Sequence, residues 1–146
     1  MRALTISAFL LPLAFIACAA AKEEPVAELK SRVENARPED RPPLCMQIAR
    51  EQLSNADKLY TEGQIEQARI AVADIVTYSE KARDSAVQTR KHLKNVEITV
   101  RKISERLRDI KRTLAFEDQA PVGQAIKRLE DVRTALLQEM FSKEKK

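Results

Sequence analysis

The chain has 146 residues, 33% of them charged, and a formal net charge of +4 at pH 7, an excess too small for a general binder of polyanions. It has one histidine, two cysteines and two glycines, and it lacks a glycine-rich phosphate loop, a serine elbow or cysteines with metal-ligand spacing. The composition therefore predicts a protein that is not an enzyme, with no cofactor, no metal ion and no small-molecule substrate.

Residues 1–21 have the order of a secretory signal peptide: Arg2 is the early charge, Ala3 to Ala17 are mostly apolar, and small residues follow. Two interpretations of its cleavage are open. Ala19-Ala20-Ala21 fits the small-x-small rule, whereas Phe15-Ile16-Ala17-Cys18 resembles a bacterial lipoprotein box and makes Cys18 a candidate lipidation site. A third interpretation is an uncleaved membrane anchor, because a membrane-spanning helix needs about 20 apolar residues and this segment is about that long. We expect an exported protein, either periplasmic or associated with the bacterial envelope.

Cleavage after Ala21 leaves 125 of the 146 residues, enough for one modest domain and too few for two independent cores. Residues 22–41 form a polar lead-in, in which Val26, Leu29 and Val33 have helical spacing before Pro38. Residues 42–146 are predicted to form one helical, coiled-coil-like domain. Its single cysteine, Cys45, is expected to be buried, since cysteine is among the residues most often found inside proteins.

Prolines and glycines divide this domain into three predicted helices. The first covers about residues 42–61, beginning at two prolines and ending before Gly63, which permits a left-handed exit. The third covers about residues 120–141, with Asp118 as its cap and Pro121 in its first turn. No proline or glycine lies between Gln64 and Ala120, so we predict one very long helix over about residues 64–115.

The long helix has a heptad pattern in which fifteen residues are separated by alternating steps of three and four. These residues are Ile65, Ala68, Val72, Ile75, Ser79, Ala82, Ala86, Thr89, Leu93, Val96, Val100, Ile103, Leu107, Ile110 and Leu114. Such a sustained period predicts a coiled-coil seam. The predicted fold is all-α: one very long heptad-patterned central helix with two shorter antiparallel helices flanking it, an elongated coiled-coil bundle.

The middle of the seam consists of the small or polar residues Ser79, Ala82, Ala86 and Thr89. At about 1.5 Å per residue, the first helix reaches back to about residue 84 and the third to about residue 95. We therefore predict that this segment is thinly covered and is the place where a helical partner or a second copy binds.

Residues 81–112 carry eleven basic and four acidic side chains. Lys94, Arg101 and Arg108 lie one heptad apart and form a candidate contact strip for an anionic surface, such as lipid head groups or an acidic protein. The alternative is a solvated helix face. Nucleic acid is disfavoured by the export signal and by the lack of interleaved aromatic residues. His92 has no cysteine or carboxylate at metal-ligand spacing, so we expect a packed or solvent-edge histidine.

The segment around Gly63 resembles one hairpin of a tetratricopeptide repeat. The residues that carry the resemblance are Ala56, Leu59, Gly63, Ala68 and Val72. It covers about 20 residues, and no second copy follows at the usual period of about 34. Tight packing of any two helices across a glycine turn produces the same spacing. The resemblance implies a small adaptor that grips an extended peptide in a groove lined by Tyr60 and Tyr78.

These patterns predict an exported, non-enzymatic interaction or structural protein of the bacterial envelope that acts through its coiled-coil seam. Its partner is expected to be a protein, either a second copy or a helical partner. Two alternatives stay open. One is a lipid-anchored envelope spacer or binder of anionic surfaces, and the other is a tetratricopeptide-like adaptor.

Overall fold

The computed structural model of the protein describes residues 25–142, which form five helices and no strand. The helices are α1 (Val26–Asn35), α2 (Arg41–Thr61), α3 (Ile65–Thr89), α4 (Leu93–Thr113) and α5 (Phe116–Phe141). Within this part of the chain the predicted all-α fold is confirmed. The predicted signal peptide and Cys18 lie outside the described residues.

The hairpin of α2 and α3 is closed by a hydrogen-bonded glycine turn. Gly63 has a φ of +75°, its N–H donates to the Tyr60 carbonyl at 3.1 Å, and the Gln64 N–H donates to the Leu59 carbonyl at 2.8 Å. This pair of bonds is a Schellman motif, and glycine adopts such a φ without steric conflict. The chain therefore reverses at the residue predicted, and α2 and α3 pack antiparallel.

The predicted single helix over residues 64–115 is wrong, because α3 ends at Thr89 and α4 begins at Leu93. In the α3–α4 turn, which consists of Arg90, Lys91 and His92, the first and last residues have φ values of 56° and 65°. Left-handed backbone is unusual for residues other than glycine, so no local signal predicted this reversal. A straight helix would leave the middle of the seam without a neighbour, whereas the reversal brings α5 alongside α3.

The α2–α3 and α4–α5 hairpins pack side by side in the same direction. Four ion pairs join them: Asp57–Arg106 (2.7 Å), Arg69–Asp118 (3.1 Å), Glu80–Arg128 (2.8 Å) and Arg90–Glu139 (2.6 Å). The partners in each pair are 48 or 49 residues apart in the sequence. This constant offset means that α4 runs parallel to α2 and α5 runs parallel to α3.

The heptad residues of the predicted seam all face the interior, since none of the fifteen is exposed. Within the second hairpin, Glu97 is 2.6 Å from Arg133, and the Ser104 hydroxyl donates to Glu130 at 2.8 Å, as an antiparallel pair requires. The pattern therefore identified the buried face of both helices. That face packs against helices of the same chain.

The start of α5 also differs from the prediction. The helix begins at Phe116, one turn earlier than expected, and Pro121 lies inside it. Asp118 does not cap the helix; its carboxylate accepts a hydrogen bond from Arg69 at 3.1 Å. Phe116 is 85% exposed and Phe141 is 59% exposed, so neither closes an end of the α4–α5 pair.

Candidate protein interface

The small-residue segment predicted to bind a partner lies inside the bundle. Ser79, Ala82 and Ala86 are fully buried, and Thr89 is half-buried. Two of the ion pairs between the hairpins show that α5 runs along this part of α3. The prediction of an uncovered segment is therefore corrected: the reversal after Thr89 supplies the missing neighbour, and these side chains are not accessible to a partner in this fold.

The predicted anionic contact strip is on α4, but most of its charge is engaged. The Arg108 guanidinium is 2.8 Å from the Glu130 carboxylate. Arg101 lies 3.9 Å from Glu97 and 3.7 Å from Glu105, and Lys94 is exposed. Two of the three cations therefore already have carboxylate neighbours, which weakens the attraction of this strip for an anionic surface.

Cys45 is fully buried, as we expected, and its thiol is free. Burial raises the pKa of the Cys45 thiol to about 11, because an apolar environment disfavours the thiolate. The thiolate is the form that reacts, so the folded protein presents an unreactive cysteine.

We expect Cys45 in a Cys18→Ala background to resist a thiol reagent at about pH 8 while folded and to react once unfolded in urea. The unfolded state loses the thiol proton at a lower pH, so the contribution of this group to stability is complete below about pH 9 and is lost as the pH rises towards 11. The free energy of unfolding, measured in urea, should therefore fall more steeply between about pH 9 and 11 for the Cys18→Ala protein than for the same protein with Cys45→Ala added. Rapid labelling of the folded protein would contradict the burial.

The exposed side chain of His92 lines a cleft of about 330 Å³ where α2 and α4 begin side by side. Its neighbours in the cleft include Pro42, Met46 and Val96, and no carboxylate or thiol is among them. The lining therefore offers the imidazole no acidic partner of the kind that raises its basicity for catalysis. His92 is a solvent-edge residue, as expected.

The helix α1 occupies one part of the groove between α2 and α3. Lys30 and Gln52 both donate to the Asp74 carboxylate, at 2.5 and 2.6 Å, and Lys81 donates to Glu34 at 3.0 Å. Because Lys30 pairs with Asp74 and Glu34 pairs further along α3, α1 runs parallel to α3. Its first residues therefore point towards the beginning of α3.

Between the first turn of α1 and the Gly63 turn, none of residues 25–142 covers the same groove, which has a volume of about 340 Å³ there. We call this part the Ile70 groove. Leu59, Ile70 and Ala71 are its apolar residues, and Ile70 is 66% exposed. Its polar residues are Gln52, Asn55, Lys58, Glu62 and Gln67. An exposed aliphatic side chain surrounded by amides suits an amphipathic segment of another protein.

Tyr60 and Tyr78 do not line an open groove, because both are buried. Burial raises the pKa of both phenols, and Lys30 and Lys81 lie over the Tyr78 ring at 5.6 and 5.2 Å from its centroid. Within residues 25–142, the two tyrosines therefore do not line the groove that the tetratricopeptide resemblance implied. The open groove on this hairpin lies at Ile70, which the sequence did not single out because an isoleucine in a helix usually belongs to the core.

Two further observations concern only residues 25–142. They contain no group of three or more histidine, cysteine, aspartate or glutamate side chains that could hold a metal ion. None of their helices combines the length and apolar character needed to cross a membrane.

Comparisons of the chain with family models, with curated proteins and with solved structures found no significant match. What can be proposed about its function therefore rests on the amino-acid sequence and on the fold and surface of the described residues.

Proposed function

We propose that this is an exported, non-enzymatic protein of the bacterial envelope that binds a helical segment of another protein. The observation that carries the proposal is the Ile70 groove, where an isoleucine is 66% exposed beside Leu59. α1 supports it, because α1 is itself a helix that buries its apolar residues Leu29 and Val33 next to α2 and α3. A partner helix would continue along the line of α1 over the open part of the groove.

The polar rim of the Ile70 groove suits the flank of an amphipathic helix. Gln52, Asn55 and Gln67 supply amides that both donate and accept hydrogen bonds, and Lys58 and Glu62 supply one charge of each sign, 3.9 Å apart. Apolar side chains spaced three or four residues apart on the partner would pack on Leu59 and Ile70. A groove this small supports a reversible complex more than a permanent one.

Export is the part of the proposal that depends on residues 1–21. Lipidation of Cys18 is the second candidate, and it would tether the binding domain to a membrane surface. The mass of the amino-terminal peptide distinguishes ordinary signal cleavage from lipidation, because a free amino terminus at Ala20 or Lys22 excludes a lipid on Cys18.

Site-specific photocrosslinking in cells tests the groove. A photoreactive amino acid at exposed Gln67, on the rim, is expected to give a discrete adduct with a second protein. The same amino acid at Lys127, exposed on α5, is expected to give none. Ile70→Lys should abolish the adduct at position 67 and change the free energy of unfolding by no more than about 0.5 kcal/mol, as for other surface substitutions.

Two outcomes would contradict the proposed groove. One is an adduct at position 67 that persists after Ile70→Lys, and the other is the same adduct from positions 67 and 127. Either would show that the partner contacts the protein somewhere other than Ile70.

A further inference from the structure

The α3–α4 turn points to a second interaction, which does not depend on the Ile70 groove. We propose that two copies of this chain exchange their α4–α5 hairpins and form a dimer. In each chain, residues 65–113 then become one continuous helix. Each α2–α3 hairpin packs against the α4–α5 hairpin of the other copy.

The residues of the turn favour a helix over the backbone they adopt. Arg90 and His92 have φ values of 56° and 65°, where the Cβ atom conflicts with the following carbonyl oxygen. Glycine would avoid this conflict, but the turn contains only Arg90, Lys91 and His92. These residue types are all accommodated in the interior of a helix. Straightening the turn therefore removes steric conflict at two positions in each chain.

The heptad register continues through the turn without a break. Thr89 and Leu93 are four residues apart, and Ala86 and Val96 continue the three-residue steps on either side. If the turn becomes helical, the buried faces of α3 and α4 form one continuous stripe. The reversed arrangement of α3 and α4 does not require the two heptad patterns to be in phase, because each helix then packs separately.

The exchange preserves almost all contacts between the hairpins. The core and the ion pairs Asp57–Arg106, Arg69–Asp118 and Glu80–Arg128 would form between chains instead of within one. Only the contacts of the turn change, chiefly Lys91–Glu39 at 2.9 Å and Arg90–Glu139 at 2.6 Å. These pairs are partly exposed to solvent, which limits their contribution to stability. The dimer therefore differs from two monomers mainly by the relief of the turn and the entropy of association.

Substitutions at His92 test the proposal, because its side chain forms no hydrogen bond or ion pair within residues 25–142. The protein is refolded from urea at increasing concentration and analysed by sedimentation velocity. His92→Gly is expected to lower the association constant of the dimer about tenfold, because glycine adopts the left-handed turn without strain and weakens the continuous helix. His92→Ala is expected to raise it about tenfold, because alanine favours the helix. The same substitutions at exposed Lys127 should leave it unchanged.

A distance measured within one chain distinguishes hairpin exchange from other dimers. Spin labels are placed on cysteines at the exposed positions Gln67 and Thr113, with Cys18 and Cys45 replaced by alanine, and the labelled chain is refolded with excess unlabelled protein. In the monomer the labels lie on helices of one bundle, on the order of 20 Å apart. In the exchanged dimer, 46 residues of continuous helix place them about 70 Å apart.

A dimer that keeps the short distance would overturn the proposal. So would a chain that stays monomeric after refolding at high concentration even with His92→Ala. The distance and the response to His92 are independent of partner binding at Ile70, so failure here leaves the proposed function standing.

Discussion

Ala82→Glu is expected to lower the free energy of unfolding by about 3 kcal/mol or more, a large fraction of the stability of a small domain. Ala82 is fully buried in the second half of α3. A carboxylate at this position loses its water without gaining a partner, and the longer side chain overfills a closely packed space. Glutamate is a good helix former, so the loss would arise from packing and desolvation and not from α3 itself.

Ala73→Glu is the matched control, because it places the same side chain at an exposed position of the same helix, nine residues earlier. Its effect should stay within about 0.5 kcal/mol. Both variants are measured by urea unfolding followed by circular dichroism. Equal losses would mean that the segment around Ala82 is not inside the bundle and that the reversal after Thr89 is misplaced.

Leu107→Ala is expected to lower the free energy of unfolding by about 2–5 kcal/mol, because Leu107 is fully buried in α4 and its truncation leaves a cavity. Leu107→Pro should abolish cooperative unfolding, since proline also removes a helical hydrogen bond and clashes with the preceding turn. Arg101→Ala, nearer the solvent face of the same helix, is expected to stay within about 0.5 kcal/mol.

The same variants show whether the two hairpins unfold together. Because both hairpins contribute to one core, Leu107→Ala should speed the hydrogen exchange of amides in α2 and α3 as well as in α4 and α5. Similar losses from Leu107→Ala and Arg101→Ala would show that the buried and solvent faces of α4 are wrongly assigned.

Several helix boundaries could be predicted because the residues that set them act locally. α2 begins beside Pro42, where a missing N–H is tolerated, and ends before Gly63, whose φ of +75° closes the turn. The start of α5 could not be predicted from its own residues. Asp118 has the chemistry of a cap, but in the fold its carboxylate pairs with Arg69, a residue 49 positions away.

The groove could not be predicted for a related reason. A pattern of apolar residues identifies faces that need burial, and Ile70 is an apolar residue in such a helix. Whether Ile70 is covered depends on where α1 begins along α2 and α3. α1 begins at Val26, and Ile70 stays 66% exposed. Exposure is therefore a property of the neighbouring element and not of Ile70.

The sequence by itself determined that the described chain is helical and which face of each helix is buried, because residue period and helix propensity act within about two turns. Only the tertiary structure decided what covers those faces. The heptad residues are buried equally well in a straight helix that packs against a partner and in two helices that reverse within one chain. Both arrangements bury the same side chains. In the monomer the chain reverses at Arg90 and His92 without glycine or proline, because packing α5 against α3 buries Ala82 and its neighbours, and that burial outweighs the steric conflict of the turn.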